Sequence, residues 1–423
     1  MKIRGVKGMN DLLPTENPAW AWVEERFREV FGRYGYSEVR TPIVEETALF
    51  ARSIGDSTDI VGKEMYTFGD RSGKKSLSLR PEGTAGAVRA YIEHSWSGRE
   101  PVAKWWYMGP MYRYERVQAG RYRQFHQAGA EIFGVADPAI DAELLVMLDY
   151  LFREVFSLPG VELRLNSLGD AEARPAYLAA LREVMSPHRE ALCADCQRRL
   201  ETNPLRLLDC KVPTCQPLVE GAPTLDAYLG DEARAHFEAV KGLLDAAGVA
   251  YTLSPRLVRG LDYYNRTCFE FVSGDLGAQN AVCGGGRYDG LVKTLGGPDV
   301  PAIGFGLGLE RLVSLVSEAA PSAPAPALVM ISAGDDESFQ RCFRLTDALR
   351  RAGVSVDLDL RRGSVRSQMK RADKSGATYA LVIGERELEE GEAALKPLRG
   401  EGEGRPVRLE LEALVAALGE GAA

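Results

Sequence analysis

The chain has 423 residues, 45% of them hydrophobic and 26% charged, with a formal net charge of -8. That length calls for two or three domains, and no apolar run approaches the ~18 residues of a membrane-spanning helix. The acidic balance excludes indiscriminate binding to nucleic acid while leaving room for a local basic patch, and seven cysteines in so long a chain do not form a disulfide framework.

The opening "MKIRGVKGMNDLLP" lacks the apolar centre of a signal peptide, so a cytoplasmic location is expected. "AWAWVEERFREVFGRYG" predicts a helix. "KSLSLR", "VAKWWYMGPMYRY" and "RYRQFHQAGAEIFG" follow as strands, close enough together to predict an antiparallel sheet. Residues 170–254 read as a mainly helical insertion, and strands resume at "TCFEFVS" and "QNAVCGGG". The segment 317–327, "SEAAPSAPAPA", combines three prolines with small residues and reads as a linker. Beyond it, "ALVMIS", "VSVDLDL" and "TYALVIG" are strands alternating with the helices "ESFQRCFRLTDALRRAG" and "SVRSQMKRADKSG". The expected architecture is an α+β domain, residues 1–169 and 255–318, with helices flanking an antiparallel sheet and an insertion at 170–254. An α/β domain at 328–423 follows the linker.

One segment, "GPMYRYERVQAGRYRQFHQAGAEIFG", concentrates Arg113, Arg116, Arg121 and Arg123 and then places Glu131 inside an apolar strand. Period-two alternation puts Gln127, Gly129 and Glu131 on one face of the second strand, and Tyr107, Gly109, Met111 and Arg113 on one face of the first. If those faces coincide, guanidiniums suited to phosphate oxygens border a carboxylate suited to an N–H-bearing ligand. The plainer alternative is an edge hairpin whose arginines are solvated and whose Glu131 pairs with one of them. Three further stretches bear on the choice. "RLVRGLDYYNRTCFEF" sets Arg259 before a glycine and Tyr263–Tyr264 before a strand; "CGGGRYDGL" puts three glycines ahead of Tyr288. In "AIGFGLGLERL", Ile303, Phe305 and Leu307 point one way while Gly304, Gly306 and Gly308 make a flat opposite face, followed by Arg311. Such a face is a floor for a planar ring or a site of close packing, and its spacing is not that of a dinucleotide fingerprint.

Together these residues resemble the class II aminoacyl-tRNA synthetases, and within them the histidyl-tRNA synthetase family. "GYSEVRTPIVEE" resembles motif 1, which implies a homodimer; the Arg113 segment resembles motif 2 and "GFGLGLERL" motif 3. "LVRGLDYY" and "GGGRYDG" are similar to the two histidine-specific motifs, and residues 328–423 to the appended anticodon-binding domain. The resemblance implies activation of L-histidine with ATP and transfer of the histidyl group to its tRNA. It implies that Arg113 and Arg259 are catalytic on the α-phosphate, and that Arg121, Arg123 and Arg311 lie along the triphosphate with Mg²⁺. The floor of Gly304, Gly306 and Gly308 would sandwich adenine against a motif 2 aromatic. Glu82, Gly83, Thr84 and Gln127 would bind the histidine α-amino group, Glu131 and Tyr264 the two imidazole nitrogens, and Tyr263 and Tyr288 the walls. Thr84 also reads as a helix cap, and core packing is the alternative role for Tyr263 and Tyr288. Gln118, in a loop where Val117 replaces the expected proline, is the candidate for a tRNA base contact.

Two features stand outside that pattern. Cys193, Cys196, Cys210 and Cys215, spaced C-x2-C-x13-C-x4-C, suit a closed structural Zn²⁺ site, with four reduced thiols as the alternative. Arg362, Arg366, Lys370 and Lys374 recur every fourth residue on a predicted helix, in a stretch with six basic side chains and one acidic, and point to phosphates of the anticodon stem. A histidine-binding regulatory paralogue that cannot charge tRNA would lack Arg259, "GGGRYDG" or the last domain, and this chain keeps all three. A class II enzyme for threonine, proline or glycine is disfavoured by "LVRGLDYY" and the Glu131–Tyr264 pair.

Overall fold

The structure is a computed structural model describing residues 3–419, apart from 56, 57, 59, 119, 171, 262, 275, 277–279, 318, 319, 321–324, 334, 400 and 401. Most of the expected linker, Ala119 of the loop and Asp262 of "LVRGLDYY" therefore lie outside the described residues. The chain divides into two compact units, residues 1–321 and 322–423.

The first unit is built on an eight-stranded sheet. Its strands in chain order are β1 (Ser37–Glu38), β2 (Ala103–Tyr112), β3 (Gln124–Phe133), β4 (Val161–Ser167), β5 (Tyr251–Leu253), β6 (Asn265–Ser273), β7 (Ala281–Arg287) and β8 (Ala302–Gly308). The order across the sheet is β1-β2-β3-β8-β7-β6-β4-β5. The six central strands pair antiparallel, as expected, and the short edges β1 and β5 pair parallel, which makes the sheet mixed. "KSLSLR" is a strand of a different sheet, three-stranded, in which Ser76–Leu79 lies between Val44–Glu46 and Thr67–Gly69.

One face of the large sheet is apolar because the alternating positions of its strands are. Trp106, Ala128, Ala130, Ile132, Ile303, Phe305 and Leu307 all enter the main core. Helix Asn17–Arg33 covers them with Trp20, Val23, Phe27, Val30 and Phe31, spaced three and four apart so that they share a stripe. Phe31 stacks on Trp106 at 5.2 Å between ring centres. The opposite face carries Tyr107, Gln127, Glu131, Glu270 and the glycines, and it holds the site.

The insertion has its own core, running from Tyr177 through Leu200, Leu207 and Val219 to Ala233. Residues beyond that core pack with the large sheet. Val240 and Leu244 of helix Asp231–Ala246 enter the main core, and Tyr251–Leu253 is the sheet's edge strand.

The second unit has strands β9 (Leu328–Ser332), β10 (Val356–Leu358), β11 (Tyr379–Ile383), β12 (Glu392–Pro397) and β13 (Arg405–Arg408), ordered β10-β9-β11-β12-β13. The first three pair parallel and the last two antiparallel. Helix Asp336–Arg351 is capped by Asp335, whose carboxylate accepts from Ser338 N at 2.6 Å.

Candidate active site

Register decides what faces the site. Glu131 lies opposite Trp105 and Gly304, Gly129 opposite Tyr107 and Gly306, and Gln127 opposite Gly109 and Gly308. The two faces considered in the sequence therefore coincide, and the glycines make room for the side chains between them. A Cβ on Gly129 would stand 2.5 Å from the Tyr107 hydroxyl, and one on Gly83 would overlap the same ring. Bracketed in this way, Tyr107 leans diagonally toward Glu131 and donates to Oε1 at 3.0 Å.

The other Glu131 oxygen accepts from the Tyr288 hydroxyl. The carboxyl is fully buried, and burial pushes its pKa up to about 8 against the opposing effect of the hydroxyl donors. From the histidine-like motifs, Tyr288 is the residue whose hydroxyl reaches it. Tyr264 packs against Tyr263 at 4.6 Å and within a core cluster that also holds Tyr288. The sequence placed Tyr107 on this face, two residues before Gly109, but assigned it no part in the pocket. Arg287 fixes the backbone that presents Tyr288. Fully buried, it donates to Asp141 at 2.8 Å and to Asp289 at 3.0 Å.

Beside this pocket Gly83 N donates to Gln127 Oε1 at 3.1 Å. Glu82 caps helix Thr84–Glu93, accepting from Thr84 N at 2.6 Å and Ala85 N at 2.9 Å. That corrects the capping role expected of Thr84, which is the first helical residue. Glu82 is buried, and burial raises its pKa.

A cavity of about 430 Å³ adjoins Gln127 and is lined by Arg113, Arg121, Arg259, Arg311, Phe125, Gly306 and Gly308, among others. Arg259 lies across Gly284, where a Cβ would overlap its guanidinium, and donates to Glu270 at 2.9 Å. Arg113 donates to Pro81 O at 2.8 Å and stands 5.2 Å over the Phe125 ring. Arg311 is held by Ala281 O at 2.8 Å and Gly120 O at 3.3 Å. Burial, then the charges of Arg121 and Arg113, push Arg311 below the ordinary arginine value. Mutual repulsion of this kind is relieved by an anion.

Two expectations change here. Gly304 and Gly306 are not a bare floor. The Glu131 carboxylate occupies the space over Gly304 and the Gln127 amide that over Gly306, leaving only Gly308 with nothing near a Cβ position. Arg123 does not line the cavity; it stacks over Tyr114 at 4.0 Å and borders a separate hollow with Lys7 and Arg116. Arg121 and Arg123 part company because Gln118 and Arg121 close a tight turn by exchanging backbone hydrogen bonds, and β3 starts only at Gln124. Gln118 is exposed at that turn. Sequence reasoning also missed Arg199, Arg206 and Asp209, which reach the cavity from the insertion.

The sulfur atoms of Cys193, Cys196, Cys210 and Cys215 lie within 4.8 Å of one another. A tetrahedral Zn²⁺ with Zn–S near 2.3 Å spaces its sulfurs about 3.8 Å apart, so small side-chain adjustments suffice. In the second unit, Arg366, Lys370 and Lys374 are exposed on helix Val365–Lys374, whose Val365 and Met369 pack inward. Arg362 is not on that helix. It precedes Gly363 in a left-handed conformation, φ 52°, pairs with Asp336 at 2.5 Å and stacks on Phe339.

Residues 8–312 match the family model described as histidyl-tRNA synthetase, and residues 327–420 that of an anticodon binding domain. A histidine–tRNA ligase of Anaeromyxobacter dehalogenans is 55% identical over 94% of this chain and 96% of its own length. One of Trichlorobacter lovleyi is 52% identical over 99% of each chain. Among solved structures, apo histidyl-tRNA synthetase of S. aureus superposes with a TM-score of 0.82 at 37% identity, covering 99% of this chain and 100% of that one.

Proposed function

The chain belongs to the histidyl-tRNA synthetase family and acts as a histidine–tRNA ligase, and we propose that the glycine-rich face of its large sheet carries out the first step. In that step the histidine carboxylate attacks the α-phosphorus of ATP, histidyl-adenylate forms and pyrophosphate leaves. A hydroxyl of the terminal ribose of the tRNA then attacks the acyl carbon, taking the histidyl group as AMP leaves. Both partners in the first step are anionic and the substrate carboxylate is itself the nucleophile, so catalysis rests on positioning and charge. The observation that carries this reading is the convergence of Arg113, Arg121, Arg259 and Arg311 on one cavity, with buried Glu131 beside it.

In this reading Arg113 and Arg259 take the α-phosphate from two sides, Arg121 and Arg311 the outer phosphates, and Phe125 one face of adenine. Gln127, Glu82 and the Thr84 hydroxyl beside Gly83 receive the α-amino group. Glu131, steadied by Tyr107 and Tyr288, accepts an imidazole N–H, and Tyr263 and Tyr264 wall the ring. A ligand without that N–H leaves the buried carboxylate short of a donor, at a cost of about 1–3 kcal/mol.

Mg²⁺ fits the same cavity. Glu115, paired with Arg121 at 3.2 Å, and Glu310, which accepts from His126 N at 2.8 Å, are the hard oxygen donors on its wall that would hold the ion, and it would supply positive charge to the outer phosphates. Exposed Gln118, Arg366 and Lys370 suit tRNA contacts. The exposed apolar residues Ile43, Val44 and Phe68 around the motif 1 segment suit a homodimer interface. Among the described residues no helix is long and apolar enough to cross a membrane, in keeping with a cytoplasmic enzyme. The four cysteines suit a structural Zn²⁺.

Arg259→Ala tests the assignment: histidine-dependent exchange of pyrophosphate into ATP should fall by about a hundredfold or more while the far-ultraviolet dichroism stays native. Wild-type exchange in that variant would overturn the role given to Arg259.

A further inference from the structure

The insertion grips the segment 259–264 at both ends. Arg206 Nη1 donates to Arg259 O at 3.2 Å, and Arg174, at the start of helix Ala173–Met185, donates to Tyr264 O. The same Nη1 lies 3.2 Å from where a Cβ on Gly260 would stand, so a glycine follows Arg259 at the point of closest approach. A second cavity, about 240 Å³, runs along this junction between Arg174, Arg206, Arg259 and Tyr264.

The residues that reach the adenylation cavity from the insertion lie within the four-cysteine segment. Arg199, Arg206 and Asp209 all fall between Cys196 and Cys210. Cys193 begins helix Ala194–Thr202, whose Arg199 donates to Arg206 O at 3.4 Å, and Asp209 adjoins Cys210. Cys193 N donates to Cys215 Sγ at 3.2 Å, and Cys196, Cys210 and Cys215 are buried in the insertion's core. Four thiolates on one ion would tie both ends of this segment to a single point, with the cavity wall strung between them.

We propose that a Zn²⁺ held by Cys193, Cys196, Cys210 and Cys215 fixes the insertion as a wall of the adenylation cavity, with Arg206 as the residue that positions Arg259. This rests on the reading of that cavity given above. Metal occupancy then sets the rate of the first step from outside the catalytic domain, and a metal-free cluster slackens the hold on Arg259.

The test uses the full-length protein. Zinc is measured by elemental analysis, and histidine-dependent pyrophosphate exchange is followed before chelation, after it, and after ZnCl₂ is returned. We expect about one zinc per chain, a fall in exchange kcat of about tenfold on removal with a smaller change in the KM for histidine, and recovery on return. Arg206→Ala guards against the possibility that stripping unfolds the insertion. It should keep its zinc and lose kcat similarly, and Arg206→Lys, which retains a donor, should recover most of it. Well under one zinc per chain overturns the proposal, as do wild-type kinetics in zinc-loaded Arg206→Ala. Absence of exchange with zinc-loaded wild-type protein overturns the reading of the cavity itself, and the proposal with it.

Discussion

The Tyr107 hydroxyl donates to Glu131 Oε1 at 3.0 Å, across a gap left open by Gly129. The carboxyl that we propose reads the substrate ring is thus held by a residue of the neighbouring strand, and the hold depends on a glycine between them. Tyr107→Phe removes that one donor and keeps the ring. The KM for histidine should rise by about fivefold with little change in the KM for ATP, since an ordinary hydrogen bond is worth about 1 kcal/mol. Exchange kinetics with each substrate varied in turn will check it; an unchanged KM for histidine would remove Tyr107 from the pocket.

The burial that raises the Glu131 pKa to about 8 also has a stability signature. The unfolded chain releases this proton near the ordinary glutamate value and the folded chain near 8, so the folded state binds the extra proton between those limits. Stability contributed by the carboxyl is therefore fully present below the unfolded pKa and is lost as pH rises toward 8. Glu131→Gln does not ionise. Its thermal midpoint should exceed that of wild type by a margin that grows from pH 5 to pH 8, while histidine-dependent exchange is abolished. A margin that shrinks with pH would contradict the assignment, as would retained exchange.

The glycines of β8 should differ among themselves. A Cβ on Gly304 would overlap the Glu131 carboxylate and one on Gly308 meets nothing within 4 Å. Gly304→Ala should displace Glu131, cost about 1–3 kcal/mol of stability and lose histidine-dependent activity. Gly308→Ala should fold with wild-type stability. Denaturation curves for the pair will show whether the first is the more costly.

In the second unit, Arg366→Ala and Lys370→Ala should each weaken tRNA binding and lower the slope of log K against log salt by about one, as for a lost phosphate contact. Arg362→Ala, whose guanidinium is taken up by Asp336 and Phe339, should change that slope less. Filter binding over a salt series distinguishes them.

These contrasts follow what was legible in the sequence. Period two and glycine spacing located β2, β3 and β8 and put Gln127 and Glu131 on one face, because alternation within a strand is a local property. Partnership across strands is not. Which hydroxyl meets Glu131 depends on register and on a diagonal reach over Gly129, so spacing alone singled out neither Tyr107 nor Tyr288 as its donor. Local periodicity also failed wherever an element ended early. Arg123 precedes β3, and Arg362 precedes its helix with a positive φ, so neither follows the side-chain direction that its spacing predicts. The contribution of Arg199 and Arg206 had no local signal at all, since it arises from packing the insertion on a segment some fifty residues further along.

The most direct test of the central claim is amino-acid-dependent exchange of pyrophosphate into ATP by the wild-type protein, with histidine and every other standard amino acid assayed side by side. Exchange with histidine alone is the result predicted from the buried Glu131 and the four guanidiniums beside it. Equal exchange with another amino acid would contradict the pocket, and none with histidine would contradict the site.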